Sequence, residues 1–343
     1  MVHAAMRSAA GEKDELSGGS AVGLPQSRQL RVRFFAAGHG LSVLFQTPSG
    51  HAVLVDAGRG RQELLGDNLV RRRIVPHLRS RGIRRLDAWF ITHPHFDHYG
   101  DPEALGRAVR IDRVLLNPDG EFWLGPKLAR ELGSVKREVV QRGHKLSFGR
   151  LRLKVLGPSP NGISPQHVLR VTRHNNRSLV ILATFGKIRF LLTGDLLLRG
   201  ERRLIRTLKV SRSTEDLRAD VLQLGHHGNG SGQPAFLRRV RPRFAVASCG
   251  DTWQGWDRVP SSLLHSLARR KIRLLRTDRD GDVLFLTDGV GLDVDTQPEH
   301  IHVPRRVRSR RKRLALQRAR ARFLSSPRGR LTDRLSVPER SNR

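Results

Sequence analysis

Four apolar runs of strand length in this chain each stop at a residue that can bind a metal. AVLVDAG ends at Asp56, LDAWFIT runs into His93, RFLLTGD ends at Asp195, and VLQLGHHG carries His226 and His227. A strand buried on both faces reads as a continuous apolar run, and its first polar residue marks the sheet edge. A fold that gathers these four ends on one side would place carboxylates and imidazoles in one cleft. Any single Asp-Gly after a strand is commonly only a turn; four such ends together constrain the chain far more.

The remaining pattern alternates strand pairs with single helices. Order is expected from near Leu30, where RVRFFAAGHG, LSVLFQTPSG and HAVLVDAGRG read as three strands joined by Gly-rich turns. A helical spacing follows in ELLGDNLVRRRIVPHLRSRG, with Gly82 as its stop. Residues 103–110 read as a helix and RVLLN as a strand, while 120–170 is a mixture of short helices, strands and loops. Later segments read as strands (SLVILATFG, KIRFLLTGD, DVLQLGHHG, RFAVASCG, IRLLRTD, DVLFLTDG) and helices (LLLRGERRLIRTL, PAFLRRV, PSSLLHSLARR). Two sheets with helices packed outside, an αββα four-layer sandwich in the broad α/β class, is the architecture this order favours. No internal repeat is found.

The densest chemical signal is ITHPHFDHYG, residues 91–100. His93, His95, Asp97 and His98 fall within six residues, directly past an apolar strand. Neutral imidazoles and carboxylates suit Zn²⁺, Mn²⁺ or Fe. A single cysteine, Cys249, excludes an internal disulfide and a Cys-rich zinc ribbon.

HPHFDH resembles the HxHxDH signature of the metallo-β-lactamase superfamily. Within it, the chain resembles the soluble C-terminal domain of the DNA-internalisation competence protein ComEC and its stand-alone relatives. The matching segments are GHGLSVLFQTPSGHAVLVDAG, ITHPHFDHYGD, NNRSLVI, FLLTGD with Glu201, DVLQLGHHG and RTDRDGDVLF, across roughly residues 31–290. The resemblance implies a hydrolase with two divalent transition metals, Zn or Mn. His93 and His95 would hold one metal, Asp97 and His98 the second together with His226 or His227, and Asp195 would bridge them. Asp56 would orient His ligands from behind. The nucleophile would be a hydroxide held between the metals, with Asp97 able to assist proton transfer.

The chain departs from that family in places. Where the wider superfamily has another metal-binding His, the ComEC-like branch has Asn; here Asn175 stands at that position beside His174. The family's Asp-Val-Gly-Gln-Gly-Asp is Ala36-Ala37-Gly38-His39-Gly40-Leu41, which loses two carboxylates. Asn229 displaces the Ser that follows the family's HHG, and the late His-Pro pair is Val259-Pro260.

Charge speaks to partners rather than fold. The formal net charge is +33 across 343 residues, which attracts polyanions such as nucleic acid. Residues 304–343 hold fifteen Lys/Arg against Asp333 and Glu339, a net of +13. Such a block cannot bury a core. The chain therefore divides into a leader (1–28, small and polar, expected disordered), a hydrolase domain (29–298) and a basic tail (299–343, expected disordered). Arg310, Arg311, Lys312 and Arg313 in that tail are candidate phosphate contacts. No run approaches the roughly 20 apolar residues that span a bilayer, and the first residues lack a signal-peptide pattern. A soluble cytoplasmic protein is expected.

The other single residues read as ordinary. His144, His167 and His265 are isolated, and His300 with His302 lacks further ligands nearby. Cys249 reads as a small buried residue, and Trp89, Trp253 and Trp256 as core rather than base-stacking groups. The leading function is a metal-dependent phosphodiesterase or nuclease. Two alternatives stand beside it: a catalytically weak nucleic-acid-binding module of the same fold, and a hydrolase of a small ester, lactam or thioester.

Overall fold

The apolar runs pair into two large sheets that face each other. A computed structural model describes residues 28–60, 68–160, 174–210, 217–250 and 259–298. The leader through residue 27, the basic tail with Arg310, Arg311, Lys312 and Arg313, and Trp253, Trp256, His167, His300 and His302 lie outside the described residues.

Seventeen strands are described: β1 (Leu30–Phe34), β2 (Val43–Gln46), β3 (Ala52–Val55), β4 (Arg85–Leu86), β5 (Ala88–Ile91), β6 (Arg110–Ile111), β7 (Arg113–Leu116), β8 (Lys136–Val139), β9 (Lys145–Phe148), β10 (Leu151–Gly157), β11 (Val180–Phe185), β12 (Ile188–Leu192), β13 (Val221–Gln223), β14 (Phe244–Ala247), β15 (Arg273–Arg276), β16 (Asp282–Thr287) and β17 (Asp293–Gln297). The first sheet has the order β17-β16-β1-β2-β3-β5-β7-β8, the second β15-β14-β13-β12-β11-β10-β9, and β4 pairs with β6 in a small ribbon. Both large sheets turn parallel in the half that builds the cleft: β3, β5, β7 and β8 in one, and β12, β13, β14 and β15 in the other.

Side-chain alternation sorts each strand into two cores. Val53, Val55 and Phe90 point between the sheets, where they meet Ile181, Phe190, Leu192 and Val246. Their neighbours Leu54, Trp89 and Ile91 point outward onto Ile74, Leu78, Leu105, Leu124 and Leu128 of the flanking helices. On the other side Leu182, Leu191 and Leu222 meet Leu204, Phe236 and Leu263. Three apolar layers between four structural layers is the αββα sandwich. Each fully buried Leu or Phe contributes about 1.5–3 kcal/mol, and a slip of one residue would exchange the two faces.

One local expectation needs correction. The stretch expected to mix short elements contains one helix of fifteen residues, Pro118–Leu132, despite Gly120, Gly125 and Pro126 within it. Asn117 caps it by accepting from the Gly120 N–H at 2.6 Å, and burial of Leu124 and Leu128 outweighs the poor propensity. Of the helix expected across 63–82, residues 63–67 lie outside the described residues, and the rest is helical as a π-helical turn, Val70–Ile74, continuing into Val75–Ser80. Strand β17 carries no apolar alternation, and its pairing with β16 forms it. Among the described residues no helix is long and apolar enough to cross a membrane.

Candidate metal centre

The parallel strand ends deliver their polar residues to one place. Asp56 follows β3, His93 follows β5 by one residue, Asp195 follows β12, and His227 follows β13. His95 caps the short helix Phe96–Tyr99, which carries Asp97 and His98 inward. The backbone strains to do so: Asp56, His226 and His227 take φ of 55°, 47° and 57°, a region non-glycine residues seldom occupy. Gly194 (φ 55°) is needed as glycine. A Cβ there would lie 2.8 Å from Ser178 Cβ and 2.9 Å from Thr92 Cβ, and that close approach is what brings Asp195 up beside the His93 loop.

Six residues form two groups that share one carboxylate. Ligand atoms of Asp97, His98, Asp195 and His227 all lie within 4.8 Å of one another, as do those of His93, His95 and Asp195. His98 Nε2 is 3.2 Å from Asp195 Oδ1 and 3.8 Å from Asp97 Oδ2. His227 Nε2 is 3.3 Å from Asp97 Oδ2 and 3.7 Å from Asp195 Oδ1. His93 Nε2 is 3.6 Å from Asp195 Oδ2 and 2.9 Å from His95 Nδ1.

Outer partners set the rings. The Thr92 N–H donates to Asp56 Oδ1 and its hydroxyl to Asp56 Oδ2, each at 2.7 Å. That carboxylate accepts the His98 Nδ1 proton at 2.7 Å, so His98 turns its Nε2 toward the cluster. His227 Nδ1 donates to the Ser248 carbonyl at 2.8 Å with the same result. Such outer hydrogen bonds are what metal-binding imidazoles ordinarily make.

The electrostatics call for a cation. Burial pushes the carboxyls of Asp97 and Asp195 up, yet the neighbouring imidazoles, His98 foremost, outweigh it and hold both well below the usual carboxylate range. Burial would likewise depress His98, but Asp195, Asp56 and Asp97 outweigh it and raise that imidazole well above its ordinary value. His93 and His95 go the other way, driven down chiefly by burial, His95 to about 4. His93 and His95, held neutral, beside ionised carboxylates suit a metal, and a cation would take the place of the proton that the carboxylates favour on His98. The residues fit one by a second observation: His95 Nε2, His98 Nε2, Asp195 Oδ1 and Asn175 Oδ1 are buried with no hydrogen-bond partner. Orphaned buried polar atoms are costly, and those of His95, His98 and Asp195 belong to the two groups.

Not every candidate comes together. His226 turns away and donates its Nδ1 proton to the Asn229 carbonyl at 2.9 Å; it joins neither group. His174 also joins neither: its Nδ1 lies 3.3 Å from Asp119 Oδ2, while its ring stands edge-on to His95 at 5.7 Å. Trp89 is core, and Cys249 is buried, its thiol pushed up by that burial. One participant is absent from the sequence reading. His39 Nε2 stands 3.2 Å from Asp97 Oδ2, its ring 4.5 Å from that of His227. Its signal is its place between Gly38 and Gly40 in a segment where only the lost carboxylates drew notice.

Comparison with known proteins gives the family. Residues 36–250 match the metallo-beta-lactamase superfamily. ComE operon protein 3 of Bacillus subtilis is 34% identical over 220 residues, 62% of this chain and 26% of that protein. Competence protein ComA of Neisseria gonorrhoeae is 30% identical over 255 residues, 74% of this chain and 32% of that protein. The chain thus spans a quarter to a third of the length of these two relatives. Exodeoxyribonuclease WalJ of Streptococcus pneumoniae is 24% identical over 222 residues, 62% of this chain and 78% of that protein. The chain belongs to the metallo-β-lactamase superfamily and resembles its ComEC-like competence proteins.

Proposed function

We propose that this chain is a metal-dependent phosphodiesterase acting on nucleic acid, with two divalent transition metals held by the two residue groups. The observation that carries the reading is the sharing of Asp195 between two clusters, with His95 Nε2, His98 Nε2 and Asp195 Oδ1 buried and without hydrogen-bond partners. His93, His95 and Asp195 would hold one ion; Asp97, His98, His227 and Asp195 would hold the other. When bound, such a pair supplies Lewis acidity and activates water toward an in-line displacement at phosphorus. Asp56 and the Ser248 carbonyl keep His98 and His227 in the tautomers the task requires. His39 holds Asp97 from the cleft side.

Nucleic acid as substrate rests on two supports of different kind. The net charge of +33 attracts polyanions. The similar proteins include competence proteins and an exodeoxyribonuclease. The test is a metal-replete screen of the purified chain against single- and double-stranded DNA, RNA, and small phosphodiester and carboxyl-ester reporters. Hydrolysis of phosphodiesters that chelation and Asp97→Asn both abolish is the expected result. Cleavage of carboxyl esters alone would replace the substrate class, and full activity after chelation would end the metal reading.

A further inference from the structure

The exposed Phe and Trp side chains of the described residues are not scattered over the surface. They are Phe96, Phe122 and Trp123, 38%, 48% and 46% exposed, and chain adjacency or a row of ring contacts links each to His95. Phe96 follows His95 and lies under the Arg59 guanidinium at 5.2 Å. Phe122 and Trp123 sit near the start of helix Pro118–Leu132, edge to face at 5.1 Å. The Trp123 ring meets His174 at 6.1 Å, and His174 meets His95 at 5.7 Å. Trp123 is thus two ring contacts from a residue proposed to hold a metal.

Core packing does not account for this pair. The same helix buries Leu124 and Leu128 against the first sheet, and Phe122 and Trp123 stand on its water-facing side. An indole left half in water forfeits much of the stabilisation its burial would contribute. His174, itself buried and within 3.3 Å of Asp119, gives the Trp123 ring a buried neighbour on the side toward His95.

We propose that Phe122 and Trp123 form a stacking platform for an unpaired nucleobase, placed beside the phosphate that the metal centre receives. This rests on the phosphodiester reading above and names its preferred ligand as single-stranded nucleic acid. Every base has a π face, so an aromatic platform accepts all sequences. A duplex keeps its bases stacked on one another and offers the platform little. Charge alone draws single and double strands alike, since both present phosphates; the aromatic pair is what discriminates between them.

The test is equilibrium binding by the full chain, stripped of metal with chelator so that no cleavage occurs. Fluorescence anisotropy compares a labelled oligothymidylate, its fully abasic counterpart and a blunt duplex, in salt high enough to weaken phosphate contacts. The oligothymidylate should bind roughly 5- to 100-fold tighter than the abasic strand. Trp123→Ala and Phe122→Ala should each remove most of that difference while leaving abasic affinity unchanged. Trp123→Phe should keep much of it, and thermal unfolding should verify that each variant is folded. Equal binding of the two strands would overturn the proposal, as would a base-dependent difference that survives both alanine variants. A duplex whose affinity depends equally on Trp123 would also overturn it, and an aromatic pair that serves another protein would leave both strands indifferent to the substitutions. Hydrolysis is measured separately on metal-loaded protein. Base-dependent binding without hydrolysis sinks the phosphodiesterase reading alone, and hydrolysis without it sinks this inference alone.

Discussion

Asp56 Oδ2 stands 2.7 Å from His98 Nδ1, both residues wholly buried. The contact fixes the ring so that its other nitrogen faces Asp195 at 3.2 Å. Asp56→Asn keeps a residue tolerated at the φ of 55° found there but removes the charge behind the imidazole. Metal affinity should fall roughly 10- to 100-fold, read by competition with a chromophoric chelator. Unchanged affinity would reduce this contact to a structural one.

Metal content of the purified protein should reach two ions per chain. Asp195 serves both residue groups, so Asp195→Ala should lower both sites and His95→Ala chiefly one. His227→Ala should lower the count, whereas His226→Ala should not, because that ring is bound to Asn229. Elemental analysis decides each case.

Asn175 Oδ1 is buried without a partner, which suits a weak oxygen ligand toward the His93 group. An amide oxygen serves Zn²⁺ poorly and Mn²⁺ better, so added Mn²⁺ should support activity more than Zn²⁺. Asn175→Ala should reduce metal content while His174→Ala spares it. The opposite pattern would make His174 the ligand.

Glu201 is buried, and its carboxyl accepts the Gly232 and Gln233 N–H groups at 2.6 and 3.0 Å. Burial raises its pKa from 4.5 to about 7 in spite of those bonds. A folded pKa above the unfolded one contributes stability that is complete below pH 4.5 and lost as pH climbs through 7. The loss is on the order of 3 kcal/mol. Glu201→Gln should erase that slope in a thermal-unfolding series. It should also lower stability by about 1–3 kcal/mol at acid pH, because its amide NH₂ opposes a backbone N–H. A variant that retains the wild-type slope would assign it to another group.

Deleting residues 304–343 removes a net charge of +13. Affinity for DNA or RNA should drop and its dependence on salt should flatten, with turnover of a small reporter nearly unchanged. Nucleic-acid affinity that survives the truncation would show the tail to be a compositional feature.

The sequence by itself determined the layers and the heart of the centre, for a physical reason: both signals are local. Alternation along a strand sorts Val53 and Val55 from Leu54 without knowledge of any distant neighbour. His93, His95, Asp97 and His98 fall within six residues, so their closeness follows from chain connectivity. The tertiary structure alone decided what depends on orientation across long separations. Only the left-handed turn after β13 turns His227 inward and His226 out. Only the packing of the Gly38–Gly40 segment on the Asp97 loop brings His39 to Asp97, with the Leu41 N–H donating to the Asp97 carbonyl at 3.2 Å. Helix Pro118–Leu132 hid behind Gly125 and Pro126, and with it the row from Trp123 through His174 to His95. Propensity cannot predict such contacts, because burial against a sheet overrides it and contact geometry depends on which elements become neighbours.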